Sequence, residues 1–198
     1  RPAEPAHDRR AMRRLARWAG RYGPARNVEG ADGLWIDITG VAHLFAARPV
    51  TAAAPAPNVW SSGWSGAAET ALLADLIVRL RALGLTARVA IADTPGAAHA
   101  LARFGRTGPH GGLIAPPGST RRALAGLPVE ALRLDTDAVV LLKRLGLKRI
   151  GTLYDLPRPA LARRFQDDAA RRRQAAARSR LRGDALAGAV LAALDAAL

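Results

Sequence analysis

Asp32 and Asp37 are the residues whose type and spacing come closest to metal chemistry. They lie in Gly30-Ala-Asp-Gly-Leu-Trp-Ile-Asp-Ile-Thr39. Leu34, Ile36 and Ile38 alternate there with Trp35, Asp37 and Thr39, the period of a half-buried strand. Carboxylates gathered on such a strand hold divalent cations. A two-metal site needs a cluster of carboxylates, with the cations about 4 Å apart. Asp32, followed by Gly33, cannot build that cluster alone. The four histidines (His7, His43, His99, His110) form no H-x-x-x-H pair, and there is no cysteine, so no zinc site is expected.

A second group of residues suits phosphate. Gly146-Leu-Lys-Arg-Ile-Gly151 precedes Thr152-Leu-Tyr-Asp-Leu-Pro157, the pattern of a helix-hairpin-helix. Gly146 and Gly151 permit a tight turn at a helix start, where free backbone N–H groups face a phosphate. Lys148 and Arg149 add charge at the same point, and Thr152 follows. An ordinary helical hairpin with a glycine cap is the competing reading.

Several elements must position these residues. A basic amphipathic helix is expected over 9–21, with Met12, Leu15, Trp18 and Ala19 at helical spacing among Arg9, Arg10, Arg13, Arg14 and Arg17. Its plainest role is to pack on a sheet as a surface helix; the alternative is that its arginines reach DNA. After the strand at 34–39, residues 46–67 are Ala/Pro-rich, then carry Trp60 and Trp64 between Ser and Gly. They read as an insertion without a packed element. Leu72, Leu73, Leu76, Ile77, Leu80 and Leu83 predict a helix over 68–83, closed by Gly84. A strand follows over 86–92. Thr94 is an N-cap and Pro95 a first-turn residue for a helix to Arg103. Residues 105–123 read as a loop with a short edge strand at 112–115. Val139, Val140, Leu141, Leu142 and Leu145 predict the helix that leads into the glycine hairpin. Arg171–Arg173, Arg178, Arg180 and Arg182 precede an Ala/Leu-rich helix over 185–198. Strand, helix, strand in this order predicts an α+β fold, a sheet with helices on one face.

The chain has 198 residues, 49% of them hydrophobic, enough for one substantial domain or two small ones. It begins with Arg1 rather than Met, as a fragment would. No apolar run reaches 18 residues and no signal-peptide pattern opens the chain, so no membrane partner is expected. Basic residues number 30 against 16 acidic, a net charge of +14, and only Lys143 and Lys148 are lysines. Such a surface suits a phosphate backbone. Arginine over lysine, with abundant Ala, Gly and Pro, also fits a GC-rich genome, but that does not account for the excess of basic over acidic residues.

Three segments resemble the Y-family translesion polymerases, in the family's order. Arg21-Tyr-Gly-Pro-Ala-Arg-Asn-Val-Glu29 with the Asp32–Asp37 strand resembles the approach and Ser-x-Asp-Glu-Ala-x-Leu-Asp-Val-Thr of that family. Leu83-Gly-Leu-Thr-Ala-Arg-Val-Ala-Ile-Ala92 resembles its Leu-x-Leu-Thr-x-Ser-Val-Gly-Ile-Ala, and 127–165 its thumb. On this match Asp32 and Asp37 are motif remnants, and the metal-site glutamate falls on Gly33. Pro95 and His99 replace two lysines that serve phosphates, and Arg103, one turn on, could compensate. The departures resemble ImuB-type members, which act in mutagenic repair as non-catalytic partners of another polymerase.

The resemblance implies a partial palm over 1–118 with an insertion at 46–67, a small helical thumb over 119–165, and an Arg/Ala-rich helical tail over 166–198. The N-terminal palm strand with its metal-binding Asp and most of the fingers have no counterpart in the chain. It implies DNA binding by phosphate contacts through Gly146, Lys148, Arg149, Gly151, Thr152 and Arg103. No resident cofactor or metal is expected; Mg²⁺ and a nucleoside triphosphate belong to the alternative of an active error-prone polymerase. A second alternative is a stand-alone helix-hairpin-helix module. Asp135-Thr136-Asp137 stands where active relatives carry another glycine hairpin, and would repel phosphate. The implied partners are a replicative-type polymerase and the sliding clamp, in the DNA-damage (SOS) response of a bacterial cytoplasm. No clamp-binding peptide is visible, since Gln166 and Gln174 lead into polar or Ala-rich sequence.

Overall fold

The computed structural model describes residues 5–46, 58–59, 66–107, 111–157, 159, 162–163 and 183–198. The chain opens with α1 (Pro5–Trp18) and a 3₁₀ turn at Ala19–Arg21. The expected helix is thus present, begun four residues earlier than its apolar spacing indicated. β1 (Arg26–Glu29) and β2 (Gly33–Ile36) form an antiparallel hairpin, with Glu29 opposite Gly33. Gly30 makes its tight turn at φ +61. A 3₁₀ turn at Ala42–Phe45 follows.

A second sheet holds β3 (Asn58–Val59), β4 (Val89–Ile91) and β5 (Gly112–Ile114) in the order β3-β5-β4, all parallel. Two expectations are corrected here. Residues 46–67 were expected to hold no packed element, yet Asn58 and Val59 pair with Leu113 and Ile114. Trp60 and Trp64 lie outside the described residues. The strand at 112–115, expected at an edge, is central and buried. A short apolar run does not reveal which neighbours it has.

α2 (Ala67–Ala82) ends in a Schellman cap: Gly84 at φ +72 donates to the Arg81 carbonyl, and Leu85 N–H reaches Leu80 O at 2.9 Å. α3 (Pro95–Phe104) starts as expected, with Thr94 Oγ1 accepting from Ala97 N–H at 3.2 Å. Parallel pairing of β4 and β5 requires a crossover, which α3 supplies. That puts helices on both faces of the sheet, not one. Gly112 and Ile114 face Leu73 and Ile77 of α2. Leu113 packs with Leu101 of α3. α2 therefore buries two sides, Leu73 and Ile77 towards this sheet and Leu72, Leu76 and Leu80 towards Tyr22 and Phe45. Tyr22, wholly buried, donates its hydroxyl to Asp75 Oδ2 at 2.7 Å and so ties the end of α1 to α2.

The larger core lies under α3, α4 (Thr120–Ala125), a 3₁₀ turn at Val129–Leu132, α5 (Thr136–Arg144) and a 3₁₀ turn at Ile150–Leu153. α4 lies partly inside the stretch expected to be loop. The last helix, α6 (Gly183–Ala197), joins this core through Val190, Leu194 and Ala197. Thr94 Oγ1 donates to Ala197 O at 3.0 Å, so α6 ends against the start of α3. The arginines at 171–173, 178, 180 and 182 lie outside the described residues.

Candidate functional site

The β1–β2 turn carries Asp32 at its tip, where β2 presents it to α3. Arg103 Nη1 donates to Asp32 Oδ2 at 2.8 Å, and Arg103 Nη2 donates to Oδ1. This is a two-pronged guanidinium–carboxylate pair. The hydrogen bond from Arg103 holds the Asp32 carboxyl below its usual value, against the opposing effect of burial. One residue before the turn, Glu29 pairs with Arg133. Arg133 reaches it from a left-handed backbone at φ 60, the one described non-glycine residue with positive φ. Both carboxylates of the turn are therefore balanced by guanidinium groups.

Gly33 explains why no further carboxylate stands here. A Cβ at this position would lie 2.7 Å from the Glu29 carbonyl oxygen. The antiparallel register holds that carbonyl in place. Among the described residues, no three of His, Cys, Asp and Glu gather to hold a metal ion. Asp37 does different work: its Oδ1 accepts from Thr39 N–H at 2.9 Å and shapes the exit from β2. Hydrogen bonds from Thr39 lower its carboxyl pKa. The residues present do not fit a pair of divalent cations.

The helix that follows, α3, begins with Pro95 and carries His99 on the side that faces β2. His99 stacks on Trp35 of β2, ring centroids 6.2 Å apart. Its Nδ1 is buried without a hydrogen-bond partner. Burial first, then Arg133, push its pKa down, so near neutral pH it adds no positive charge. Pro95 offers no N–H. Ala196 O lies 3.0 Å from where a Cβ of Gly96 would be, so α6 closes over the start of α3. Arg103, expected to reach phosphate, is held by Asp32. Sequence reading missed Glu29, Trp35 and Arg133. Trp35 was in the alternating strand, but nothing in sequence marks the backbone of Arg133.

The glycine hairpin is built differently. α5 ends in a second Schellman cap, with Gly146 at φ +79 donating to Lys143 O and Leu147 N–H to Leu142 O at 2.9 Å. Leu147 and Ile150 are buried, while Lys148 and Arg149 between them are exposed. Val129 N–H donates to Lys148 O, and Ile150 N–H to Leu127 O, so the turn is braced against 127–129. The backbone N–H groups of Arg149 and Gly151 have no backbone partner among the described residues. Neither Lys148 nor Arg149 makes an ion pair among them. Thr152 is exposed, and its Oγ1 donates to Arg149 O at 2.6 Å and closes the turn. Gly151 is a packing glycine: a Cβ there would sit 2.9 Å from Ala125 O. The second helix of the pattern begins as a 3₁₀ turn at Ile150–Leu153. Asp135 and Asp137, both exposed, stand at the start of α5, where a carboxylate suits the helix dipole.

Two curated relatives match the chain. Both are Protein ImuB of Caulobacter vibrioides, one from strain NA1000 / CB15N and one from strain ATCC 19089 / CIP 103742 / CB 15. Each is 46% identical over 162 residues, which is 82% of this chain and 30% of the relative. The chain thus spans about a third of their length. No family model matches it, and no solved structure matches it significantly.

Proposed function

This chain belongs to the ImuB group of Y-family polymerase-like proteins, and on that premise we propose that it binds DNA through the phosphate backbone and serves mutagenic repair without transferring nucleotides itself. The observation that carries this reading is the pairing of Asp32 with Arg103 beside Gly33. A polymerase site needs carboxylates free to hold cations; here the aspartate is neutralised by a guanidinium, and the space for a neighbouring glutamate side chain is taken by backbone.

The DNA contact is assigned to the hairpin, through Gly146, Lys148, Arg149 and Gly151. Lys148 and Arg149 are exposed there, and the backbone N–H groups of Arg149 and Gly151 have no backbone partner among the described residues. Phosphate contacts of this kind position a protein on the duplex and carry no sequence information. In this role the chain assists a second, catalytic polymerase, with the sliding clamp as a further partner, and works in the cytoplasm. No described helix is long and apolar enough to cross a membrane. The test is primer extension on a primed template with Mg²⁺ or Mn²⁺. No extension above a blank is expected. Extension abolished by Asp32→Ala would overturn the reading in favour of an active polymerase.

A further inference from the structure

The basic face of α1 has no place in the site described above. At about 100° per residue, Arg9, Arg10, Arg13, Arg14 and Arg17 fall within one sector of about 140°, and Arg21 of the following turn continues it. All six are exposed. Arg9 and Arg13, Arg13 and Arg17, and Arg10 and Arg14 are each four residues apart. Like charges at that spacing repel and weaken a helix. The one acid of α1, Asp8, falls on the other side and relieves none of these pairs. Among the described residues, no carboxylate pairs with Arg9, Arg10, Arg13, Arg14 or Arg17. Arg26 of β1 adds its guanidinium beside the end of the helix, 3.0 Å from where a Cβ of Gly20 would be.

We propose that this face is a second binding surface for a nucleic-acid backbone, separate from the hairpin. An array of unrelieved like charges favours an external polyanion. Arginine forks grip phosphate oxygens in pairs. A lipid surface is the poorer fit. An interfacial helix buries its apolar side in the bilayer, whereas Leu15 and Trp18 of α1 pack on the protein's own cluster around Tyr22 and Phe45. Rows of guanidinium groups about 6 Å apart along the helix track a backbone without reading bases. α1 packs on β1 and the turn after it, while the hairpin is braced by 127–129. The two surfaces therefore act independently.

This inference rests on the proposed DNA binding, and the experiment separates the two. The full chain is titrated into a labelled short duplex across a salt series. One variant carries Arg→Gln at 9, 10, 13, 14 and 17, a second carries Arg→Lys at the same positions, and a third is Lys148→Ala with Arg149→Ala. The Gln variant should lose at least about tenfold in affinity at low salt, and its salt slope should shrink by about four, near 0.9 per phosphate contact. The Lys variant should keep both, which shows that charge and not folding is at issue. Gln and hairpin effects should add. If the Gln variant binds like the parent while the hairpin variant weakens, the α1 surface is refuted and the hairpin reading stands. The reverse result refutes the hairpin and keeps α1. No duplex binding by the parent refutes both. Tighter binding to phosphatidylglycerol vesicles or to polyglutamate than to duplex would also overturn the assignment.

Discussion

The β1–β2 turn and the 146–151 turn both set glycines and charged residues in a tight bend, yet they treat charge in opposite ways. At the first, Asp32 faces Arg103 and Glu29 faces Arg133. At the second, Lys148 and Arg149 face solvent, while backbone bonds to 127–129 hold the turn. A charge matched within the protein is unavailable to a ligand unless its partner is released. The first turn uses its charges within the fold, and the second leaves its charges exposed. Counting arginines does not distinguish them; tracing each one's partner does.

The comparison breaks most readily at Gly33. Gly33→Glu supplies the carboxylate of an active site but drives its Cβ into the Glu29 carbonyl. A loss of about 3 kcal/mol is expected in urea unfolding, typical of a severe packing clash, with no primer extension gained. Unchanged stability would mean that the turn is plastic and the site recoverable.

Gly151→Ala tests whether the second turn is as tightly built. The new methyl group meets Ala125 O at 2.9 Å, and a loss of about 2 kcal/mol is expected. An unchanged melting temperature would mean that the turn accommodates a side chain here and is less tightly built than the first.

Lys148→Ala with Arg149→Ala sharpens the contrast from the other side. Both side chains are exposed and unpaired among the described residues, so the melting temperature should stay constant. Duplex affinity should fall roughly tenfold and the salt slope by about two. Anisotropy titrations at several salt concentrations read both. Unchanged binding would leave the hairpin a purely structural element.

The smallest effect belongs to Asp32→Asn. Asp32 and Arg103 are 65% and 45% exposed, so the pair contributes about 0.5 kcal/mol. Because the folded carboxyl titrates below its ordinary value, this stabilisation is present above about pH 4 and is lost as pH falls through the folded value. Urea midpoints at neutral pH should drop slightly in the variant, and the gap to the parent should close in acid. A gap that widens in acid would contradict the pairing. Freed Arg103 should raise duplex affinity slightly.

Local signals survived into the structure, and distant partnerships did not. The apolar stripe of α2, its glycine cap, and the Thr94–Pro95 start of α3 were legible because each depends on residues within a turn or two. Gly146 was legible for the same reason. Asp32 and Arg103 are 71 positions apart, and no local pattern links them. Arg133 meets Glu29 from a strained backbone that its residue type disfavours. The place of β5 at the centre of its sheet depends on Asn58 and Val59, hidden in Ala/Pro-rich sequence. α6 was legible as a helix, but alanine and leucine at helical spacing do not say what they cover; Val190, Leu194 and Ala197 are buried.

The closeness of Gly33 to the Glu29 carbonyl also has an evolutionary side. A glycine codon can become a glutamate codon by one base change, so the missing side chain is genetically near. Structurally it is remote, because the neighbouring strand has closed over its place and the adjacent carboxylates have taken arginine partners. On the proposed reading, a glutamate at position 33 would have to displace the Glu29 carbonyl, and the two ion pairs would have to open, before a cation could be held. Each accommodation to the glycine makes any side chain at this position less welcome.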